Sequence, residues 1–177
     1  MAVYGNVIFE NVNIPQRFRN FAGKEKVHNG TIINPEGKRN FCVELDPETA
    51  MKMKEDGWNV KFPDPEKAIG DPGLPYLPVE VSFKNYPPLI VQETTTGGKS
   101  RLSESNIRNL DEAEIVSVDL IIRPYNYEVM GRTGVKAYCK EMWVTIEESI
   151  FAKKHGPIPD EVNTDDSFAE QEEDLPF

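Results

Sequence analysis

The segment VSVDLIIRPYNYEVMGRTGVKAYCKEMWVTIE, residues 116–147, decides the fold. Apolar and polar side chains alternate before the turn at 131–134 and again after it, and this period of two is typical of strands with one buried face. After the turn, the apolar positions shift from the odd numbers of 135–139 to the even numbers of 142–146. The shift predicts a β-bulge near Lys140–Glu141, because an extra residue keeps both apolar sets on the same face.

The bulge places basic and aromatic side chains together on the outward face of this predicted hairpin. Bases stack on aromatic rings and cations follow phosphates, so an interleaved set of both suits single-stranded nucleic acid. The plain alternative is that Tyr and Trp are enriched in strands of any kind. The candidate DNA-contacting residues of the hairpin are Arg123, Tyr125, Tyr127, Arg132, Lys136, Tyr138, Lys140 and Trp143.

A second concentration of positive charge, the basic segment, spans residues 17–39, with six bases and two acids. Phe18, Phe21 and Phe41 lie within or beside it. It is either a further nucleic-acid contact or a solvated hairpin whose Phe side chains point inward. The polar loop 94–101 ends in more bases, which suit contacts with a phosphate backbone. The candidates from the segment and the loop are Arg17, Arg19, Phe21, Lys24, Lys38, Arg39, Lys99 and Arg101.

The remaining body has the pattern of short strands with few helices. Alternating apolar residues predict strands at 41–45, 58–62 and 79–83. A helix is predicted from Asp46 to a stop near Gly57, since Asp caps helix N-termini and Gly ends helices. A second short helix is predicted over 103–110. Together these elements predict a mainly β architecture, an OB-type Greek-key barrel with extra strands and loops and two short helices.

The negative charge of the chain is concentrated at its C-terminus. The whole sequence has a formal net charge of −10, and residues 160–177 hold eight acids and no Lys or Arg. The preceding residues therefore carry 22 acids against 20 bases, so the overall acidity does not exclude an anionic partner. The low apolar content of the tail predicts disorder. We expect two parts, a folded domain over 1–156 and a disordered acidic tail over 157–177.

Several function classes lack support in the residues. Two Cys and two His provide neither a disulfide scaffold nor paired zinc ligands, and we expect no cofactor and no bound metal. We find no spacing of nucleophile, base and acid that indicates catalysis, so we expect a non-enzymatic protein. No apolar run approaches the roughly 18 residues of a membrane span. A protein of the cytoplasm with no membrane partner is expected.

Several phrases of the sequence resemble known proteins. The acidic stretch that closes in Leu175-Pro176-Phe177 resembles the tail of bacterial single-stranded DNA-binding proteins, which end in Ile-Pro-Phe. RNFCV at 39–43, GWNVK at 57–61, DLIIRPY at 119–125 and GVKAY at 134–138 resemble single-stranded DNA-binding proteins encoded by bacteriophages. The resemblance covers most of residues 17–147 together with the tail.

The resemblance implies an OB-fold that coats single-stranded DNA without sequence preference during replication, recombination and repair of phage DNA in the host cytoplasm. It also implies that the tail recruits replication and recombination proteins, through Glu172, Glu173, Asp174, Leu175, Pro176 and Phe177. The main alternative is a recombination protein that anneals single strands. A metal-dependent nuclease and a structural protein that uses the sheet face for assembly are further alternatives, and homo-oligomerisation stays open.

Overall fold

A hairpin of two 15-residue strands forms the centre of the fold. The computed structural model describes residues 2–67, 69–70, 73–148 and 154–155. In chain order the strands and the α-helix are β1 (Val7–Val12), β2 (Lys26–His28), β3 (Thr31–Asn34), β4 (Arg39–Glu44), α1 (Pro47–Asp56), β5 (Tyr76–Val81), β6 (Leu89–Thr94), β7 (Lys99–Arg101), β8 (Ile115–Val129) and β9 (Arg132–Ile146). Two short 3₁₀ helices span Gln16–Phe18 and Ile107–Asp111.

Seven strands join one sheet around this hairpin. The order is β1-β8-β9-β5-β4, while β6 also pairs with β9, and β7 pairs with β6. β9 is long enough to hold two parallel partners on one edge, β5 at Ala137–Tyr138 and β6 at Glu141–Ile146. β2 and β3 form a separate two-stranded sheet. The bulged region of β9 therefore lies where its neighbour changes from β5 to β6.

The predicted bulge is confirmed. Ile121 pairs with Glu141, whereas the next residue, Ile122, pairs with Cys139, so Lys140 is the extra residue of β9. Buried positions fall at 135, 137 and 139 before the bulge and at 142 and 144 after it. The extra residue thus keeps one face of β9 in the core, as the shift in the sequence pattern required.

The first predicted helix is confirmed, together with both of its ends. The Thr49 N–H donates to Asp46 Oδ1 at 2.9 Å and caps the helix. The hydrogen bond from the Thr49 hydroxyl, followed by this backbone cap, lowers the pKa of Asp46. Gly57 ends the helix with φ of 107°, a left-handed conformation that favours glycine. The second predicted helix is a 3₁₀ helix over Ile107–Asp111, whose buried Ile107 and Leu110 join the core.

The mainly β architecture is confirmed, but the strands of the predicted OB-type barrel do not close into a complete barrel. β1 and β4 lie at opposite ends of the strand order, and no ladder joins them within the residues that the structure describes. The Glu44 N–H donates to Asn13 O at 3.0 Å, which links β4 to the residue after β1 and not to β1 itself. Beyond that residue, the chain forms the 3₁₀ helix Gln16–Phe18 and meets β4 again at an isolated bridge between Asn20 and Asn40.

The prediction of a regular strand at 58–62 is wrong. Trp58 and Lys61 each form an isolated bridge, to Val135 of β9 and Tyr76 of β5 respectively. The alternation in this stretch arises because Trp58 and Val60 are buried in the core while Lys61 faces solvent. Buried and exposed side chains therefore alternate over 58–62 although the backbone forms no regular strand there.

The predicted boundary at residue 156 and the tail 157–177 lie outside the described residues. Both cysteines, Cys42 and Cys139, are free and buried, and burial raises the pKa of each thiol to about 12. Such thiols are poor nucleophiles. Among the described helices, none has the length and apolar character needed to span a membrane.

Candidate nucleic-acid interface

The outward side of the bulged hairpin forms a surface of rings and cations. We define the hairpin face as the side chains that β8 and β9 direct away from the core: Arg123, Tyr125, Lys136, Tyr138, Lys140 and Trp143. The antiparallel register places Arg123 opposite Tyr138, and Tyr125 opposite Lys136. Each pair sets a ring beside a cation, because directly opposed side chains on one face of a sheet are close neighbours.

Arg123 is held between two aromatic rings. Its guanidinium carbon lies 4.9 Å from the centre of the Tyr138 ring and 5.2 Å from that of Tyr86. Tyr125 meets Tyr138 edge to face, with ring centres 5.8 Å apart. Cation–π contacts of this kind contribute about 0.5–1 kcal/mol each at exposed sites. They fix the orientation of rings that remain open to solvent, since Tyr125 is 51% exposed.

Tyr86 was missed by the sequence analysis. It is 71% exposed and belongs to the connection between β5 and β6, a stretch rich in proline. No strand period extends through this connection, so the sequence does not show which way its side chains point. The usable signal was a lone tyrosine next to two prolines, Pro87 and Pro88, which restrict the backbone that carries the ring.

An acid lies between cations next to the hairpin face. Glu80 of β5 is within 3.9 Å of both Lys38 and Lys136. Burial raises the pKa of Tyr138 to about 12, and a hydrogen bond with Glu80 adds to the effect. Glu80 thus connects Lys38, which belongs to the basic segment, to Lys136 on the hairpin face. The carboxylate neutralises part of the charge that a phosphate would meet there.

Trp143 lies further along β9, beside the β6–β7 hairpin. Its indole Nε1–H donates to Glu141 Oε2 at 2.9 Å, and Lys99 Nζ lies 5.8 Å from the ring centre. Lys99 also pairs with Glu93 at 3.5 Å. The structure therefore brings the predicted residue Lys99 to Trp143, whereas the predicted Arg101 lies nearer to Arg123 and Lys140, with which it lines a common cleft.

The predicted contact of Phe21 with DNA is wrong. Phe21 is fully buried and stacks on Phe41 with ring centres 5.2 Å apart. The N–H groups of Phe21 and Ala22 donate to the carboxylate of Asp111, which fixes this turn against the 3₁₀ helix. A base has no access to this ring, so the alternative of inward-pointing Phe side chains holds here.

Two arginines of the basic segment are bound by the main chain. The Arg19 guanidinium donates to the carbonyls of Ile14, Leu110 and Ala113, and burial lowers its pKa. Arg39 donates to the carbonyls of Phe21 and Ala22. We infer structural roles for both side chains in place of the expected DNA contacts, because their donors already satisfy partly buried carbonyl groups.

The other predicted residues are separate from the centre of the hairpin face. Arg17 lies over the Phe18 ring at 4.6 Å, and the exposed Lys24 borders a different cleft. The Tyr127 hydroxyl donates to Asn59 Oδ1, and a side chain at Gly134 would clash with that hydroxyl. Arg132 is exposed at the start of β9, beside the hairpin turn. Their DNA contacts stay predictions.

Comparison with known proteins identifies the class. The family model "Putative phage ssDNA-binding domain" matches residues 3–176. The chain belongs to this family, and the resemblance of its body to phage-encoded single-stranded DNA-binding proteins is confirmed. The likeness of the tail to that of bacterial proteins stays a prediction. No match was found among curated protein sequences.

Solved structures with a similar fold come from bacteriophage Enc34. Its single-stranded DNA-binding protein in complex with ssDNA has a TM-score of 0.50 and 12% identity, over 82% of this chain and 88% of that chain. A C-terminal truncation of the same protein has a TM-score of 0.48 and 12% identity, over 82% and 87%. At this identity the likeness concerns the fold alone.

Proposed function

We propose that this protein binds single-stranded DNA on the hairpin face and coats it without sequence preference or catalysis. The observation that carries the proposal is the solvent-facing stack of Tyr86, Arg123 and Tyr138, with Tyr125 against its edge. Membership of the phage ssDNA-binding family supports it. So does the similar fold of the Enc34 protein, which has been solved in complex with ssDNA.

The chemistry of this surface suits sequence-independent binding. Every base has a π-face, so stacking on Tyr125 or Tyr138 contributes about 1–3 kcal/mol per base whatever its identity. Lys136 and Lys140 supply charge for the phosphates between stacked bases. Duplex DNA hides its base faces within the helix, so it gains only the charge contacts.

We further propose roles in phage DNA replication, recombination and repair within the host cytoplasm, with the tail residues 172–177 docking partner proteins. A tail with eight acids is also suited to competing with DNA for the cations of the hairpin face. Removal of residues 160–177 should then tighten oligonucleotide binding at low salt. Equal affinities of the full and shortened chains would exclude this competition.

Tryptophan fluorescence tests the central proposal. Trp58 is buried at 2% exposure, whereas Trp143 lies on the hairpin face, so stacking should quench Trp143 alone. We expect oligo-dT to quench the emission and duplex DNA of equal length to leave it nearly unchanged. The logarithm of the affinity should fall with the logarithm of salt concentration by about 0.7 per phosphate contacted. Equal binding of both DNAs, or none, would refute the proposal.

A further inference from the structure

A cleft opens beside the hairpin face, between the bulge of β9 and the connection from β5 to β6. It has a volume of about 600 Å³, within the range of small-molecule sites. We call it the Tyr86 pocket. Its lining consists of Asn6, Asn85, Tyr86, Pro87, Leu89, Arg101, Arg123, Lys140 and Glu141. None of the proposed functions above requires a concave site, since stacking on the hairpin face needs only a surface.

The pocket concentrates positive charge that the fold leaves uncompensated. Within the part of the chain that the structure describes, Arg101, Arg123 and Lys140 have no ion-pair partner, unlike Lys38, Lys99 and Lys136. The single acid in the lining, Glu141, already accepts a hydrogen bond from Trp143. Three cations against one acid make the pocket an anion site by charge.

The bulge in β9 places one of these cations, Lys140, at the pocket. Lys140 is the extra residue of β9, opposite the step from Ile121 to Ile122, and it is exposed. Bulges often redirect a side chain near functional sites. Here the redirected side chain reaches the pocket, while the residues on either side of the bulge keep their places in the core or on the hairpin face.

Tyr86 gives the same pocket a flat apolar wall. Arg123 covers one part of the ring at 5.2 Å, yet the side chain remains 71% exposed, so ring surface is open to a second planar group. Pro87 and Leu89 extend the apolar lining. The amide side chains of Asn6 and Asn85 make no hydrogen bond to any other described residue, which leaves polar groups for a base edge.

We propose that the Tyr86 pocket binds one nucleotide of the single strand, turned out of the stack on the hairpin face. Its phosphate lies among Arg101, Arg123 and Lys140, and its base lies flat against Tyr86. This inference rests on the proposed function and specifies where the strand leaves the hairpin face. A pocket with both a stacking wall and cations fits a nucleotide better than it fits phosphate alone, which needs no ring.

Substitution of Tyr86 tests the stacking part on the full chain. Tyr86→Ala should weaken oligo-dT binding about 5- to 150-fold, the loss of one stacked base, while Tyr86→Phe retains the ring and should bind as the unaltered chain does. Phe62→Ala removes a ring that is also exposed but lies outside the pocket, and should change nothing. Circular dichroism confirms that each variant is folded. Unchanged affinity of Tyr86→Ala would overturn the proposal.

Cross-linking locates the nucleotide directly. Irradiation of the complex with oligo-dT that carries 5-iododeoxyuridine should join DNA to the peptide containing Tyr86. Cross-links confined to Tyr125, Tyr138 and Trp143 would overturn the pocket but leave the proposed function intact. Absence of any complex with oligo-dT would refute the proposed function itself. In titrations with oligo-dT at several salt concentrations, the combined variant Arg101→Gln, Arg123→Gln and Lys140→Gln should lower the salt slope by about 0.7, because the three cations share one phosphate. An unchanged slope would contradict the phosphate position.

Discussion

The hairpin face and the basic segment 17–39 have similar compositions, since each mixes Lys and Arg with aromatic residues. In the folded chain they differ. On the hairpin face, Arg123 lies between rings and Tyr125 is half exposed. In the basic segment, Phe21 is buried and Arg19 donates to three carbonyls. Composition therefore does not distinguish a binding surface from a part of the core.

The difference arises from backbone regularity. In β9 the side chains alternate, so burial of Val135 and Ala137 forces Lys136 and Tyr138 outward. Residues 17–25 form a 3₁₀ turn and irregular loop, in which direction does not follow from position. A cation or ring within such a stretch can serve the fold as readily as a ligand.

The largest expected contrast concerns stability. Phe21→Ala should lower the free energy of unfolding by about 3–5 kcal/mol, the usual cost of removing a buried Phe. Tyr125→Ala, on the half-exposed hairpin face, should cost far less. Urea unfolding followed by circular dichroism measures both. If Tyr125→Ala proved as costly as Phe21→Ala, the ring of Tyr125 would belong to the core and the comparison would fail.

The next contrast concerns DNA affinity. Tyr138→Ala removes the ring that contacts both Arg123 and Tyr125, so oligo-dT binding should weaken by about 1–3 kcal/mol. Tyr138→Phe keeps the ring and should retain most of the affinity. Arg19→Ala serves as the control from the basic segment: it should reduce stability, because three carbonyls lose a donor, and leave the affinity of the folded protein unchanged. Fluorescence anisotropy with labelled oligo-dT measures these affinities.

These contrasts show which features the sequence was able to predict. The bulge at Lys140, the cap at Asp46 and the stop at Gly57 each follow from local rules, and the structure confirms all three. Whether the sheet closes into a barrel was not predictable in the same way, because closure depends on how β1 and β4 approach each other across the whole fold. Tyr86 was missed for a related reason, since only tertiary structure brings it to Arg123.

Glu80 allows a sharper test of the charge on the hairpin face. Glu80→Gln should tighten oligo-dT binding by about 1 kcal/mol at low salt, because it removes a negative charge beside Lys38 and Lys136. The gain should shrink as salt is added. Glu48→Gln, which removes the partner of Lys52 on α1, is the matched control and should have no effect. If Glu80→Gln bound oligo-dT more weakly, the carboxylate would instead serve to orient the side chains of Lys38 and Lys136 for contact with DNA.

The smallest effect addresses what the basic segment contributes to binding. Lys24 is exposed, and within the described residues its ammonium group has no ion-pair partner, so it can supply charge without a stacking ring. Lys24→Gln should lower the salt slope by about 0.7, equivalent to one phosphate contact, and weaken binding by no more than about 0.5 kcal/mol near 0.1 M salt. Lys52→Gln, on α1 and paired with Glu48, should alter neither quantity. An unchanged slope for Lys24→Gln would show that the strand does not contact Lys24, whereas a loss as large as that of Tyr138→Ala would make the basic segment a binding surface comparable to the hairpin face.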